Sequence, residues 1–342
     1  MKILIGLSGG LDSTYAALFL KENGHDVTGA SVIMHEHTDT AGAREAAETA
    51  GIPYIEIDCR DKFREKVIGN FINEYMNART PNPCIMCNPN VKFGSLCEYA
   101  VENGFDRVST GHYASVINEN GRYFIRRGSD AGKDQSYVLW GLTQTQLSML
   151  YFPLAEMKKS DIREEAAKRG LEVADAPESQ EICFIPDNDY VGYIERATGI
   201  TFPEGDFVDG NGNVLGKHKG LIRYTVGQRK GLGIALGQPM FVSKLDPDAN
   251  TVTLVPSGSE YSDGMTVGNL NFMKMPPCCD GTVKTSVRVR YSHAETPCTV
   301  IFDGDHAKVT FDKPVRAVTP GQSAVFYDGD DLLFGGIILV NE

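Results

Sequence analysis

Long apolar runs are missing from this chain of 342 residues. No segment approaches the ~18 consecutive apolar residues of a membrane-spanning helix. The first ten residues, MKILIGLSGG, carry one lysine and a short apolar stretch that is too small for a secretory signal peptide. Apolar residues make up 42% of the chain and charged residues 23%, which are values typical of globular proteins. We therefore predict a cytoplasmic protein of two or three domains without a membrane segment.

Structural disulfides are not expected in that compartment, because the cytoplasm is reducing and its proteins keep most cysteines as thiols. Among the eight cysteines, Cys59 and Cys97 lie in apolar patterns and are predicted to be buried. Cys84 and Cys87 stand three positions apart in TPNPCIMCNPNVKF, residues 80–93. No second Cys-x-x-Cys exists to complete a four-cysteine zinc site. This stretch alone leaves a metal site, a disulfide and a nucleophile open.

Acidic residues are absent from two stretches of an otherwise acidic chain. The formal net charge of −12 argues, on its face, against a nucleic-acid partner. Residues 217–230, KHKGLIRYTVGQRK, nevertheless contain five lysines and arginines and no acid. Residues 281–294, GTVKTSVRVRYSHA, add Lys284, Arg288 and Arg290, again without an acid. Together the two stretches favour a ligand rich in phosphate.

The order of apolar patterns predicts an α/β protein with an all-β C-terminal part. Strand-like and helix-like segments alternate over the first 115 residues, which is typical of a parallel sheet with helices on both faces. ASVINENGRYFIRRG predicts a hairpin that turns at Asn120-Gly121, and residues 133–200 are predicted to be mostly helical. From about residue 202, short β-branched runs alternate with turn residues, as in a small barrel. The predicted units are an α/β domain with a helical part over 1–201, a small central domain over 202–264 and a β-barrel over 265–342.

One lysine is absent where a common phosphate-binding loop requires it. GLSGGLDST, residues 6–14, lies between the first predicted strand and the first helix, where open α/β sheets bind ligands. Its glycines permit close approach of the backbone, and the following helix N-terminus attracts anions. A Walker loop would end in Gly-Lys-Ser/Thr, which this loop does not. Ser8 and Ser13 can donate to phosphate oxygens, and Asp12 can hold Mg²⁺.

The segment SGGLDS resembles the loop of the N-type ATP pyrophosphatases, the PP-loop superfamily, which split ATP between its α- and β-phosphates and adenylylate a substrate. Other motifs resemble one family within it, the tRNA-specific 2-thiouridylases (the MnmA family). These motifs are ARTPNPCIMCNPNVKFG (78–94), TGHYA (110–114), KDQSYVL (133–139), ESQEICFIPDNDYVGYIE (178–195), YTVGQRKGLGIA (224–235) and AVTPGQSAVFY (317–327). They follow the order of the family along nearly the whole chain.

The resemblance implies an activity, a fold and a set of partners. The enzyme would use ATP and Mg²⁺ to place sulfur at position 2 of the wobble uridine in tRNAs for Lys, Glu and Gln, with a sulfur-relay protein or cysteine desulfurase as donor. Its fold would be a PP-loop α/β domain, a small central domain and a C-terminal β-barrel. The ATP-binding residues implied are Gly6, Leu7, Ser8, Gly9, Gly10, Leu11, Asp12, Ser13, Val32 and Gly111. The tRNA-binding residues implied are Asn82, Pro83, Cys84, His112, Lys133, Asp134, Gln135, Arg290, Tyr291 and Gln322.

By the same resemblance, Cys87 is the nucleophile and Cys183 carries the incoming persulfide, with Asp12 as the third catalytic residue. The oxygen at uridine C2 is a poor leaving group, so ATP adenylylates it and the persulfide sulfur displaces AMP. Alternatively, Cys87 attacks the persulfide first and releases sulfide; if the persulfide has already bonded to C2, Cys87 closes a disulfide with Cys183 that resolves the intermediate. A thiol reacts as its thiolate, and we expect the N-terminus of the helix VKFGSLCEYAVENG to favour that form of Cys87.

Cys84 departs from the family, many of whose members have aspartate at this position, and it opens an alternative. Cys84, Cys87 and Cys183 are three thiols, enough to hold a 4Fe–4S cluster with one iron open for sulfide. We favour persulfide chemistry over the cluster, and both over zinc. His35 and His37 in MHEHTD are interpreted as polar surface.

Two other classes of function remain open on sequence alone. A PP-loop enzyme that adenylylates a small carboxylate or ureido group would explain SGGLDS but would leave Cys87, Cys183 and the basic stretches unused. A non-catalytic nucleotide sensor or RNA-binding protein would keep the loop as a relic, against which the intact Ser8, Asp12 and Ser13 argue. AMP release measured with and without tRNA separates the three.

Overall fold

The computed structural model describes residues 1–171, 182–278 and 280–340. Its strands form three sheets, of five, four and eight strands. In chain order they are β1 (Lys2–Gly6), β2 (Asp26–Ile33), β3 (Tyr54–Asp58), β4 (Arg107–Ser109), β5 (Ala114–Glu119), β6 (Arg122–Arg127), β7 (Leu150–Tyr151), β8 (Gly205–Val208), β9 (Val214–His218), β10 (Met240–Asp246), β11 (Thr251–Pro256), β12 (Tyr261–Phe272), β13 (Asp280–Arg288), β14 (Thr296–Asp303), β15 (His306–Arg316), β16 (Ser323–Asp328) and β17 (Asp331–Ile338).

The α-helices of the described residues all lie before residue 200. In chain order they are α1 (Leu11–Glu22), α2 (Ala41–Ala50), α3 (Arg60–Phe63), α4 (Gly69–Met76), α5 (Pro83–Cys87), α6 (Phe93–Glu102), α7 (Gln144–Met149), α8 (Lys159–Lys168) and α9 (Tyr190–Thr198). A π-helical turn joins α3 to α4 (Arg64–Ile68), and another joins α5 to α6 (Asn88–Lys92). Within the described ranges, none of these helices has the length and apolar content to cross a bilayer.

The first sheet is parallel, with strand order β3-β2-β1-β4-β7. Its central strand is apolar on both faces, and Ile3, Leu4 and Ile5 are completely buried. Ile3 and Ile5 belong to one hydrophobic core, whereas Leu4 belongs to another. Burial on both faces requires helices on both sides of the sheet, so the α/β prediction is confirmed.

The predicted hairpin forms, and it joins a different sheet from the one that precedes it. β5 and β6 turn at Asn120 (φ 54°) and Gly121 (φ 83°), the pair of positive φ values that Asn-Gly turns provide. β6 pairs with β17 where Arg126 faces Asp331. The carboxylate of Asp331 also accepts from Lys274 Nζ at 2.5 Å. The hairpin therefore ties the N-terminal domain to the barrel.

The C-terminal half is all-β, as predicted. Strands β10-β11-β8-β9 form the small central sheet, and β12-β15-β14-β13-β16-β17 close into a six-stranded barrel through the pairing of β12 with β17. The predicted boundary after residue 201 lies between α9 and β8. The predicted boundary after residue 264 lies inside strand β12. SDGMTVGN is a strand with a register shift between Ser262 and Gly264, and Gly264 permits it by its close approach to the carbonyl of Val309.

Candidate active site

A cleft of about 990 Å³ opens where β1, β2 and β4 end. Its walls come from the turns after these three strands and from the π-helical turn before α6. Cys183 also lines it, so the phosphate loop and the predicted sulfur carrier share one cavity. His35 is part of the wall as well, with its ring 5.8 Å from that of Phe63, and burial lowers its pKa. His35 is thus a half-buried residue of the cleft wall, and its interpretation as polar surface stays a prediction.

The phosphate loop takes its shape from Gly9, whose φ of 75° favours glycine. A Cβ atom at this position would lie 2.7 Å from the carbonyl carbon of Gly42, so a larger residue does not fit. The hydroxyls of Ser8 and Ser13 are 3.2 Å apart, and Ser13 Oγ donates to the carbonyl of Gly10 at 3.0 Å. No side chain caps the N-terminus of α1. Uncapped N–H groups at a helix start suit an anion.

The structure brings together the residues predicted to bind ATP. Gly111 packs directly on the loop, because a Cβ atom there would lie 2.6 Å from the carbonyl carbon of Asp12. Gly9, Gly10 and Leu11 complete the turn behind the cleft surface. Those that line the cleft are Gly6, Leu7, Ser8, Asp12, Ser13, Val32 and Gly111.

Asp12 has two partners that the sequence did not reveal. Its Oδ1 accepts a hydrogen bond from the Tyr113 hydroxyl at 2.6 Å and forms an ion pair with Lys159 Nζ. The side chain of Lys159 is almost completely buried, whereas that of Asp12 is 32% exposed and faces the cleft. These residues are 101 and 147 positions from Asp12, and no local motif could have linked them to it. Mg²⁺ binding by Asp12 stays a prediction.

The helix that carries the Cys-x-x-Cys motif begins earlier than expected. Asn82 caps it, with Oδ1 accepting from the Cys84 N–H at 3.1 Å, and Pro83 is its first residue. Cys84 is therefore exposed at the helix start, whereas Cys87 lies one turn inside and is only 8% exposed. Burial raises the pKa of Cys87 to about 12. The expectation that a helix N-terminus favours the Cys87 thiolate is wrong. The sequence Asn82-Pro83 is a typical start of a helix and could have predicted where this one begins.

A π-helical turn follows Cys87 because of two residues in CNPNVKFG. Pro89 has no N–H to donate in an α-helical ladder. Gly94 allows the backbone to pass, since a Cβ atom there would lie 2.8 Å from the carbonyl oxygen of Pro89. The turn runs from Asn88 to Lys92, and such turns are frequent at functional sites.

The two predicted sulfur residues stand at the same wall of the cleft. Cys183 is exposed and lines the cleft, while Cys87 Sγ lies 3.5 Å from Sδ of the cleft residue Met34. The surrounding protein raises the pKa of Cys183, and the Lys92 ammonium opposes that shift. Within the described ranges no group of three His, Cys, Asp or Glu side chains is arranged to hold a metal ion. The three-cysteine cluster thus finds no support in the geometry.

The residues predicted to bind tRNA fall into two groups. In one group, His112 and Gln135 line the cleft, while Asn82, Pro83 and Cys84 form the start of the helix that carries Cys87. His112 Nδ1 is 2.7 Å from Thr110 Oγ1, and Gln135 Oε1 accepts from the Tyr113 N–H at 3.0 Å. Lys133 is half-buried beside this group. Their contact with tRNA stays a prediction.

The second group makes contacts between domains. Asp134 is 5% exposed and accepts from Arg288 of the barrel at 3.2 Å, and its carbonyl accepts from the hydroxyl of Tyr291. Arg290 donates to the carbonyl of Val226 at 2.7 Å and contacts Thr319. Gln322 Nε2 donates to the carbonyl of Thr80 at 2.7 Å. In this structure Asp134, Arg290 and Gln322 hold the domains together, and sequence alone gave no sign of that role.

Comparison with known proteins agrees with this architecture. Residues 1–187 match the model described as tRNA methyl transferase HUP domain, residues 193–256 the tRNA methyl transferase PRC-barrel domain, and residues 262–338 the aminomethyltransferase beta-barrel domain. The chain is 43% identical to the tRNA-specific 2-thiouridylase MnmA of Lachnoclostridium phytofermentans, over 99% of both chains. It is also 43% identical to that of Clostridium acetobutylicum, over 98% of this chain and 99% of the relative.

The chain belongs to the tRNA-specific 2-thiouridylase family. The predicted family and fold are confirmed, because full-length relatives are more than 40% identical and a family model matches more than half of the chain. It is accordingly an enzyme of the tRNA-modifying sulfurtransferase class.

Proposed function

We propose that the enzyme makes 2-thiouridine at the wobble position of tRNAs for Lys, Glu and Gln, in an ATP-dependent reaction that uses a cysteine persulfide. One observation carries the proposal: the phosphate loop and Cys183 line the same cleft, with Cys87 directly behind its wall. An adenylylating enzyme of small molecules needs the loop but no thiol pair beside it. The relatives named above are 2-thiouridylases, which supports the same reaction.

In the first step, the loop binds ATP and the uridine O2 attacks the α-phosphate. Pyrophosphate leaves, and C2 then carries AMP as a leaving group. The N–H groups at the start of α1 and the hydroxyls of Ser8 and Ser13 would hold the phosphates. Asp12 would supply a carboxylate oxygen to Mg²⁺, which neutralises the charge on the departing pyrophosphate. Lys159 and Tyr113 would keep that carboxylate in place.

In the second step, the terminal sulfur of a Cys183 persulfide attacks C2 and AMP leaves. The Cys87 thiolate then attacks the Cys183 sulfur, and the S–S bond to the transferred sulfur breaks. The sulfur stays on C2, and a Cys87–Cys183 disulfide remains, which a thiol reductant must reduce before the next turnover. A cysteine desulfurase or a sulfur-relay protein would reload Cys183, whose exposure suits delivery by another protein.

The burial of Cys87 sets a condition on this sequence. A thiol with a pKa of about 12 is protonated at neutral pH, and the Cys87 sulfur contacts Met34 of the cleft wall without lining the cleft itself. We propose that tRNA binding shifts the segment from Asn82 to Cys87, because Asn82, Pro83 and Cys84 form the part of the helix expected to meet the target base. Cys87 would then become reactive only when a substrate is present.

The test is an assay of AMP release and 2-thiouridine formation, with ATP, Mg²⁺ and a persulfide donor. Both products should depend on tRNA and appear in equal amounts. AMP release without tRNA, on addition of a small carboxylate or ureido compound, would contradict the proposal in favour of a small-molecule ligase. Nucleotide binding without any AMP release would also contradict the proposal and would indicate a non-catalytic nucleotide sensor.

A further inference from the structure

Lys92 is the last residue of the π-helical turn that follows Cys87. In an α-helix, residues three and four apart share a face, whereas in a π-helical turn the hydrogen bond joins residues five apart. Cys87 and Lys92 are five apart and therefore lie on one side of the helix. That side is turned towards the cleft, since Lys92 lines it and Cys87 contacts the cleft residue Met34.

Lys92 is the one lysine or arginine among the described residues that line the cleft. Its ammonium is half-buried and has no hydrogen-bond or ion-pair partner in the described part of the chain. The two carboxylates among the described cleft residues are engaged elsewhere: Asp12 pairs with Lys159, and Asp39 accepts from two N–H groups at the start of α2. A partly buried charge without a partner is costly, so the arrangement suits a ligand that brings negative charge.

The histidines of the cleft, His35 and His112, add no positive charge to that of Lys92. Burial lowers the pKa of His35 and brings the pKa of His112 well below its ordinary value, so both rings are neutral at neutral pH. The Lys92 ammonium lowers the pKa of both Cys87 and Cys183, against the effect of burial. Its charge therefore acts on both sulfur atoms. Lys92 also lines the cleft that contains the phosphate loop, so it lies between that loop and the thiols.

We propose that Lys92 binds the phosphate of the adenylylated uridine and of the AMP that leaves it. The inference rests on the proposed adenylylation and assigns to that reaction a residue that touches the leaving group. The phosphate loop has no lysine of its own, and Lys92 would provide the missing cation from another element. A cation at this point stabilises the negative charge of AMP as sulfur attacks C2.

AMP itself is the probe, and its binding to the full-length chain is measured by calorimetry without tRNA. Lys92→Met should weaken AMP binding by about tenfold to a hundredfold, the range expected for a lost charge-assisted hydrogen bond. Binding of adenosine, which has no phosphate, should not change, and Lys92→Arg should stay within about threefold of wild type. Lys62→Met is the matched control, because Lys62 also lies beside a cysteine, Cys59, but lines a different cavity.

An unchanged affinity for AMP in Lys92→Met overturns the proposal, even if thiolation is lost, because Lys92 would then act on the thiols alone. Equal loss of AMP and adenosine binding also overturns it, since the residue would then only maintain local structure. Neither measurement needs tRNA or a sulfur donor. Lysine-dependent AMP binding in an enzyme that makes no 2-thiouridine would therefore refute the proposed function and leave this inference standing.

Discussion

The two ends of the cleft are built in different ways. The nucleotide end consists of tight turns after β1 and β4, in which Gly9 and Gly111 allow backbone segments to touch. The thiol end consists of a helix whose entry is held by other domains: Thr80 donates its N–H to the carbonyl of Pro320 at 3.0 Å, and its hydroxyl is 3.2 Å from that of Thr225. The first end is preorganised for phosphate, whereas the second keeps its nucleophile buried. Under the proposed function, ATP binding and sulfur transfer would therefore depend on separate parts of the fold.

The strongest way to break this comparison is to remove the thiols. Cys183→Ser and Cys87→Ser should each abolish 2-thiouridine formation but leave adenylylation intact, because the phosphate loop lies outside the thiol helix. Thiolated tRNA and AMP are measured on the same samples. Cys278→Ser is the control, since that thiol belongs to the barrel. If AMP formation disappeared along with thiolation, the two ends would not be separable.

Cys84→Ser sharpens the same experiment by separating the two sulfur chemistries. Cys84 is exposed at the helix start and has no role in the persulfide scheme, so its loss should be only partial. Under the cluster alternative, the serine variants of Cys84, Cys87 and Cys183 should be equally inactive, because losing any ligand opens a second iron site. The iron content and the thiolation activity are measured on anaerobically purified protein. Full activity in iron-free protein would exclude the cluster, and activity with sulfide only in iron-loaded protein would exclude the persulfide scheme.

The next largest effect is expected at the nucleotide end. Asp12→Asn keeps a side chain that can accept from Tyr113 but removes the negative charge offered to Mg²⁺. AMP formation should fall by roughly 10²- to 10³-fold, the usual cost of losing one electrostatic contact to a transition state. Asp39→Asn, in the same cleft, should keep near wild-type rates, because asparagine also caps a helix. Wild-type AMP output from Asp12→Asn would remove this carboxylate from the mechanism.

A different quantity, the rate of alkylation rather than of turnover, reports on the protonation of Cys87. Its pKa of about 12 lies above the ordinary thiol value, so below pH 12 the folded enzyme holds the reactive thiolate as a minor form. Alkylation of Cys87 by iodoacetamide, followed by peptide mass spectrometry, should therefore speed up by about tenfold per pH unit between pH 7 and 11. Bound tRNA should raise the rate at pH 8 if it exposes this thiol. A rate that is flat above pH 8 without tRNA would show that Cys87 is already a thiolate.

The sequence predicted the place of the phosphate loop, between β1 and α1, because the signals for it are local. Gly9, Ser8 and Asp12 lie within one turn, and the periodicity of the flanking strand and helix gives their place in the fold. The predicted hairpin and barrel also followed from short-range patterns, such as Asn120-Gly121.

The thiol end could not be predicted in the same way, because tertiary contacts decide its chemistry. Nothing near Cys87 indicates that Met34 covers it, and nothing near Asp12 indicates Lys159. The π-helical turn that brings Lys92 to the cleft has a cause in Pro89 and Gly94, but neither residue alone specifies it. Residues 178–181 of the ESQEIC motif lie outside the described residues.

The smallest expected effect tests whether the barrel holds the thiol end in place. Gln322→Ala removes the hydrogen bond to the carbonyl of Thr80, worth about 1 kcal/mol, so thiolation should fall by roughly fivefold while AMP formation stays unchanged. Hydrogen exchange of residues 80–87, measured without tRNA, should become faster by a similar factor. Gln238→Ala, an exposed glutamine of the central domain, is the control. Unchanged exchange together with weaker tRNA binding would mean that Gln322 contacts tRNA directly, as the family resemblance implies, and that the entry of the thiol helix holds its position without the barrel.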